Sequence, residues 1–291
     1  VSVPILTARG LVKSFGGTGW FGGSVEAKRA VDTIDLDVNE GETLAIVGES
    51  GSGKSTLARM LLGLVRPTAG EVAYYGRSMR GFAAPDWAAF RKSVQPIFQD
   101  PASSLNPRMR VDTTLANVLR RHGLATRATM EGAVAGLLTS VGLDPAQFHD
   151  RYPHQLSGGQ QQRIAIARAM AVRPKLIVAD EPLSSLDMSV QAQILDLLVS
   201  LKASRSLGLV LISHDLNVVD AVADRVIVMY LGKVVEAGPT RQVLGQPASD
   251  YTRSLLAAKL VADPRLARER RLAREAAMGK HPDSTSQGAP P

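Results

Sequence analysis

Short apolar runs recur along the chain, each closed by glycine or a charged residue, with stretches of helical spacing between them. "TLAIV" (43–47) stops at Gly48, and "STLARMLLGL" (55–64) follows with a helix-like pattern. "RPTAGEV" (66–72) reads as a turn. "KLIVADEP" (175–182) has the signature of a buried strand, four apolar residues and then two carboxylates. "LGLVLISHD" (207–215) repeats that design with a histidine at the strand end, and "DRVIVMYLGKVVEAG" (224–238) predicts two further strands. Strands alternating with helices argue for a parallel α/β sheet. A helical block interrupts it between about 99 and 165, carrying "TTLANVLRRHGL" and "MEGAVAGLLTSVGL". Beyond about 262 the chain is basic, then low in complexity, and its end, "GKHPDSTSQGAPP", is expected to be disordered. No internal repeat is evident.

Bulk composition changes this picture little. At 291 residues, 45% hydrophobic and 21% charged, the chain is an ordinary globular protein with room for one large or two modest domains. It has no cysteine, which excludes disulfides, thiolate metal sites and a cysteine nucleophile. No apolar run is long enough to span a membrane, and "VSVPILTARG" does not have the make-up of a secretory signal. The net charge of +7 fits nucleic-acid binding or work beside an anionic membrane or acidic ligand. The spread of arginines along the chain favours the second, and only the tail holds a dense cluster, "RLARERRLARE".

Candidate chemistry gathers at the ends of the apolar runs. Gly48, Glu49, Ser50, Gly51, Ser52, Gly53, Lys54, Ser55 and Thr56 fit the phosphate-loop pattern between a strand and a helix. Its glycines let backbone N–H groups turn inward, Lys54 supplies a mobile charge, and the Ser55 hydroxyl suits Mg²⁺. A metal also needs a carboxylate on a neighbouring strand. Asp180 and Glu181 end such a strand, and adjacent residues there point differently, one toward metal and one toward water. In "HQLSGGQQQRIAIARAM" (154–170), Ser157 is placed as an N-cap and Gly158 and Gly159 expose N–H groups. One triphosphate in one chain has no evident use for a second anion-ready helix terminus, whereas a dimer would.

At this point the residues resemble a family. "LSGGQQQRIAIARA" looks like the signature of ABC ATPases, and the other motifs occur in the expected order: Walker A at 48–55, a Q-loop glutamine at Gln99, Walker B at 176–181, a D-loop "SSLD" at 184–187 and a switch histidine at His214. "PIFQDPASSLNPRM" (96–109), "RYPHQLSGG" and "YTRSLLAA" are similar to oligopeptide and dipeptide importers. The resemblance covers roughly residues 5–260. It implies a RecA-like parallel sheet core with an antiparallel β subdomain and an inserted helical subdomain. The ATPase domain would be 1–245, with a C-terminal extension at 246–291. There are departures. The D-loop has Ser185 where alanine is commoner, Asp250 precedes Tyr251 where proline is usual, and the lack of cysteine rules out the iron–sulfur cluster of several relatives.

The resemblance also implies roles. Gly48 to Thr56 would cradle the phosphates of ATP; Ser55, Gln99 and Asp180 would serve Mg²⁺. Glu181 would polarise the attacking water, with His214 holding it and contacting the γ-phosphate. Ser157, Gly158, Gly159 and Gln160 would meet ATP on the opposite subunit, and Asp187 would link the two sites. Phe15 sits where the family's adenine-stacking aromatic lies, with Trp20 and Phe21 as rivals and a core position for Phe15 as the plainer reading. The implied partners are two integral membrane permease subunits and a second ATPase chain, in a heterodimer or a homodimer. An extracytoplasmic substrate-binding protein is an indirect partner, and no nucleic acid is expected. The implied place is the cytoplasmic face of the cell membrane. Nickel, glutathione or sugar cargo, or a non-transport ABC ATPase acting on nucleic acid, are the alternatives.

Overall fold

The computed structural model describes residues 3–16 and 28–262. Two sheets organise it. The first is antiparallel, in the order β2-β1-β4-β5, from β1 (Leu6–Phe15), β2 (Lys28–Val38), β4 (Ala69–Tyr74) and β5 (Arg77–Ser78). The second has the order β10-β9-β3-β8-β7-β6. Its parallel strands are β3 (Thr43–Val47), β6 (Val94–Ile97), β7 (Leu176–Asp180), β8 (Gly208–Ile212) and β9 (Arg225–Tyr230), and β10 (Lys233–Pro239) returns antiparallel along β9. Every residue of β3, β7 and β8 is buried, as expected for parallel strands covered on both faces.

Alternation along these strands sorts the core. Ile177, Ala179, Leu209 and Leu211 face one apolar cluster, shared with the helical block. Leu176, Val178, Val210 and Ile212 face another, with Leu44, Ile46, the antiparallel sheet and α1 (Lys54–Leu61). Ala45 and Val47 join Val226 and Val228 in a third, toward the C-terminus.

Between β4 and β7 run α2 (Ala84–Ser93), which leads into β6, and then the helical block. The block comprises α3 (Pro101–Ser104), α4 (Val111–Arg121), α5 (Met130–Ser140), α6 (Pro145–Phe148) and α7 (Gly158–Met170). Leu115 and Leu119 of α4, Val134 and Leu138 of α5, and Ile164 and Ile166 of α7 share its core. The remaining helices are α8 (Met188–Arg205), α9 (Leu216–Val222), α10 (Thr240–Gly245) and α11 (Asp250–Ala262). No helix among the described residues is long and apolar enough to cross a membrane.

The turn expected at 66–72 gives way to strand from Ala69. Gly70 reads as a turn residue but serves a close approach: at φ 74°, a Cβ there would lie 2.0 Å from the Gly10 carbonyl oxygen of β1. β1 and β2 themselves carry no clean two-residue alternation, because bulges at Gly10 (φ 55°) and Thr33 (φ 54°) shift their registers. The tail cluster and the expected disorder beyond 262 lie outside the described residues.

Candidate functional site

β3 delivers the chain into the phosphate loop. A Cβ on Gly48 (φ 145°) would stand 2.2 Å from the Met229 carbonyl oxygen, and one on Gly53 (φ 103°) 2.0 Å from that of Ala30. Glycine is therefore required at both positions by conformation and by space. The Ser52 N–H donates to the Glu49 carbonyl (3.2 Å), and the Gly232 N–H, from the β9–β10 turn, donates to the Ser52 carbonyl (3.0 Å). Glu49, Ser50 and Gly51 are exposed at the rim of the loop. Thr56 lies in the first turn of α1, where Lys54, Ser55 and Thr56 have amides with no carbonyl a turn earlier.

Lys54 is 4% exposed. Its ammonium donates to the carbonyls of Gly48 (2.8 Å) and Glu49 (2.7 Å). Burial pushes its pKa down, against the pull of Glu181, Asp180 and Glu49. The Ser55 hydroxyl donates to Asp180 Oδ1 at 2.9 Å. Burial raises the Asp180 pKa, opposed by that hydroxyl and reinforced by Glu181.

Glu181 points elsewhere. Its φ of 48° is unusual for a residue with a side chain and turns the backbone sharply at the end of β7. The Glu181 N–H donates to the Ile212 carbonyl of β8 at 3.1 Å. One carboxylate oxygen, Oε2, then lies 3.5 Å from His214 Nδ1 and 3.4 Å from the Gln99 Nε2 that donates to it. His214 and Gln99 come from just beyond β8 and β6. Three strand ends thus converge on one carboxylate, beside the Ser55–Asp180 pair.

Ser157, Gly158, Gly159 and Gln160 stand apart from this group. The Ser157 hydroxyl accepts the Gln160 N–H (3.3 Å), and the Gln160 side chain accepts the Ser157 N–H (2.9 Å). This is a capping box at the start of α7. A Cβ on Gly158 would meet Leu186 at 3.4 Å, and one on Gly159 would meet Val190 at 2.4 Å. Asp187 caps α8, accepting from the Val190 N–H (3.1 Å) and the Ser189 hydroxyl (2.7 Å). The Ser189 bond and then the Val190 bond hold its carboxyl below the usual range. No hydrogen bond or ion pair among the described residues joins 157–160 or Asp187 to 48–56.

Phe15, at the end of β1, is 50% exposed, with Lys13 Nζ 5.2 Å from its ring centre. The core reading is therefore wrong: the ring closes the strand at its solvent end. Trp20 and Phe21 lie outside the described residues. Sequence reasoning passed over Gly232 and Tyr251, whose hydroxyl accepts the Glu49 N–H at 3.2 Å. Gly232 belongs to no motif, and Tyr251 opens "YTRSLLAA", a stretch that marks family likeness but no site; only the fold brings the two to the loop. Away from this site, Asp112, His149 and Asp150 also have metal-like spacing. The Arg110 guanidinium pairs with both carboxylates and already supplies the positive charge.

The family model described as ABC transporter matches residues 31–184. The oligopeptide transport ATP-binding protein OppF of Salmonella typhimurium is 46% identical, over 88% of this chain and 77% of that protein. The glutathione import ATP-binding protein GsiA of Salmonella paratyphi A is 47% identical, over 92% of this chain and 43% of that longer protein. Among solved structures, the ATP-binding cassette MJ0796, a dimer in a post-hydrolysis state bound to ADP and Pi, superposes with a TM-score of 0.70. It is 29% identical, and the match covers 81% of this chain and 99% of that one. The chain belongs to the ABC transporter family, as one of its ATP-hydrolysing, nucleotide-binding proteins.

Proposed function

We propose that this chain energises the uptake of oligopeptides or dipeptides through a membrane-embedded importer. The observation that carries the cargo reading is its 46% identity with OppF across most of both chains. The 47% identity with GsiA keeps glutathione, itself a short peptide, as a second reading. In this proposal residues 1–245 form the ATPase domain, with the helical subdomain inserted at about 99–165 and an extension from 246.

The loop's chemistry fits a polyphosphate. It offers a buried ammonium, the free amides at the start of α1, and glycines where a Cβ would strike backbone. Ser55 and Asp180 offer the hard oxygen donors that Mg²⁺ prefers, and Gln99 lies nearby. When bound, that ion would neutralise phosphate charge. Lys54, seated on two carbonyls, would turn its remaining N–H toward phosphate oxygens. Glu181 would accept the proton of the attacking water, His214 would hold the carboxylate and contact the γ-phosphate, and Gln99 would sense the metal and water and report to the membrane subunits. Phe15 would stack on adenine.

Ser157, Gly158, Gly159 and Gln160 would complete the phosphate site of a second ATPase chain, with Asp187 linking the two sites. ATP shared between two surfaces would close the dimer, and loss of the γ-phosphate contacts would let it open. The partners are then two permease subunits and a second, different ATPase chain at the cytoplasmic face of the membrane, with a substrate-binding protein beyond it.

Glu181→Gln tests the base. Hydrolysis should fall roughly a hundred- to ten-thousand-fold, the span of general-base contributions. ATP binding should persist and ATP-dependent pairing should strengthen; normal hydrolysis by this variant would remove Glu181 from the role. Isolating the intact complex and identifying what its binding protein carries separates oligopeptide from glutathione.

A further inference from the structure

The Gly48–Glu49 peptide is gripped at both ends. Its carbonyl accepts the Lys54 ammonium at 2.8 Å, and its N–H donates to the Tyr251 hydroxyl at 3.2 Å. In a trans peptide these groups point in opposite directions. Lys54 therefore holds the plane from inside the loop and Tyr251 from outside. Gly48, at φ 145°, is a pivot that does little by itself to fix that plane.

Tyr251 is firmly placed for this. The Glu236 carboxylate of β10 accepts the N–H groups of Ala248 (2.8 Å) and Ser249 (3.1 Å), just ahead of α11. Arg253 donates to the carbonyls of Pro247 (2.8 Å) and Ala248 (3.0 Å) from the other side of the same turn. Leu255 and Leu256 pack with Tyr251 against the cluster that contains Ala45 and Val47 of β3. The Tyr251 ring leans on Tyr230, with centroids 4.3 Å apart.

We propose that Tyr251 is a positioning residue for nucleotide binding: through the Gly48–Glu49 peptide it fixes the seat of the Lys54 ammonium, and it ties phosphate-loop geometry to the start of α11. This rests on the reading that residues 48–56 hold the phosphates. Tyr251 touches no nucleotide. Its hydroxyl sets how much of the loop's ordering is complete before ATP arrives.

The test is Mg·ATP binding and hydrolysis by the full chain carrying Tyr251→Phe, which keeps the ring and removes the hydroxyl. Kd and KM should rise about three- to tenfold, the worth of one hydrogen bond. At saturation kcat should stay within about twofold of wild type, and the unfolding midpoint without nucleotide should hardly move. Glu236→Ala, which frees the turn before α11, should raise Kd in the same direction. Combined with Tyr251→Phe it should add little, because both act along one route.

An unchanged Kd for Tyr251→Phe overturns the proposal, and so does full additivity with Glu236→Ala. Lys54→Ala separates this from the underlying reading. If that variant binds Mg·ATP as wild type does, the phosphate-loop assignment has failed; if it loses binding while Tyr251→Phe keeps wild-type affinity, only the role of Tyr251 has.

Discussion

Two adjacent carboxylates, Asp180 and Glu181, do different things because the backbone turns between them. Asp180 still belongs to β7 and turns inward to Ser55, whereas Glu181, in left-handed conformation, turns toward Gln99 and His214. That division was legible in the sequence only beside the phosphate loop, since two acids at a strand end alone can equally cap the next helix. Phe15 was less legible, because aromatic residues in strands usually pack inward. Its exposure makes a clean test. Phe15→Ala should leave stability within about 0.5 kcal/mol, as an exposed substitution does. It should weaken ATP binding by about 1–3 kcal/mol if the ring stacks on adenine. Pyrophosphate competition, which involves no base, should be unaffected. Equal ATP affinity in the two proteins would move the stacking role to Trp20 or Phe21.

Among the elements, the starts of α7 and α8 lie against each other, with Gly159 facing Val190. Gly159→Ala should push Val190 aside and cost about 1–3 kcal/mol, the usual range for overpacking. Thermal unfolding would show the loss, and adding Val190→Ala should restore most of it. If ATP-dependent pairing remains impaired in the restored double variant, Gly159 has a part beyond packing; if pairing returns with stability, packing is its whole part. Helices α1, α4, α5 and α7 and strands β3, β7, β8 and β9 were readable because each buries a stripe or run, whereas β6, with only Val94 and Ile97 buried, offers no such run. β1 and β2 were not readable either, because Gly10 and Thr33 add a residue to the count and put Leu11 and Ile34 out of step with Ala8 and Val31. Only Ile34, Leu36 and Val38 keep the alternation visible.

For the whole molecule, the proposed function has a second ATPase chain complete the phosphate site, and among the described residues no hydrogen bond or ion pair joins the phosphate loop to the α7 start. Native mass spectrometry of the assembled transporter should find one copy of this chain and one of a different ATPase. Two copies of this chain with no second ATPase would establish the homodimer. The strand order carries a further consequence, for the chain as it is being made. β3 is synthesised early, yet the strands that cover its two edges, β8 and β9, are among the last to appear. Until Tyr230 has left the ribosome, a strand that ends up fully buried lacks at least one neighbour, the condition in which nascent chains associate wrongly. A fragment ending at 184, where the family match ends, would have neither neighbour of β3 and no β9–β10 turn against its phosphate loop. The motifs from 48 to 181 are made before either neighbour of β3, so translation must reach β8 and β9 before they can become a site.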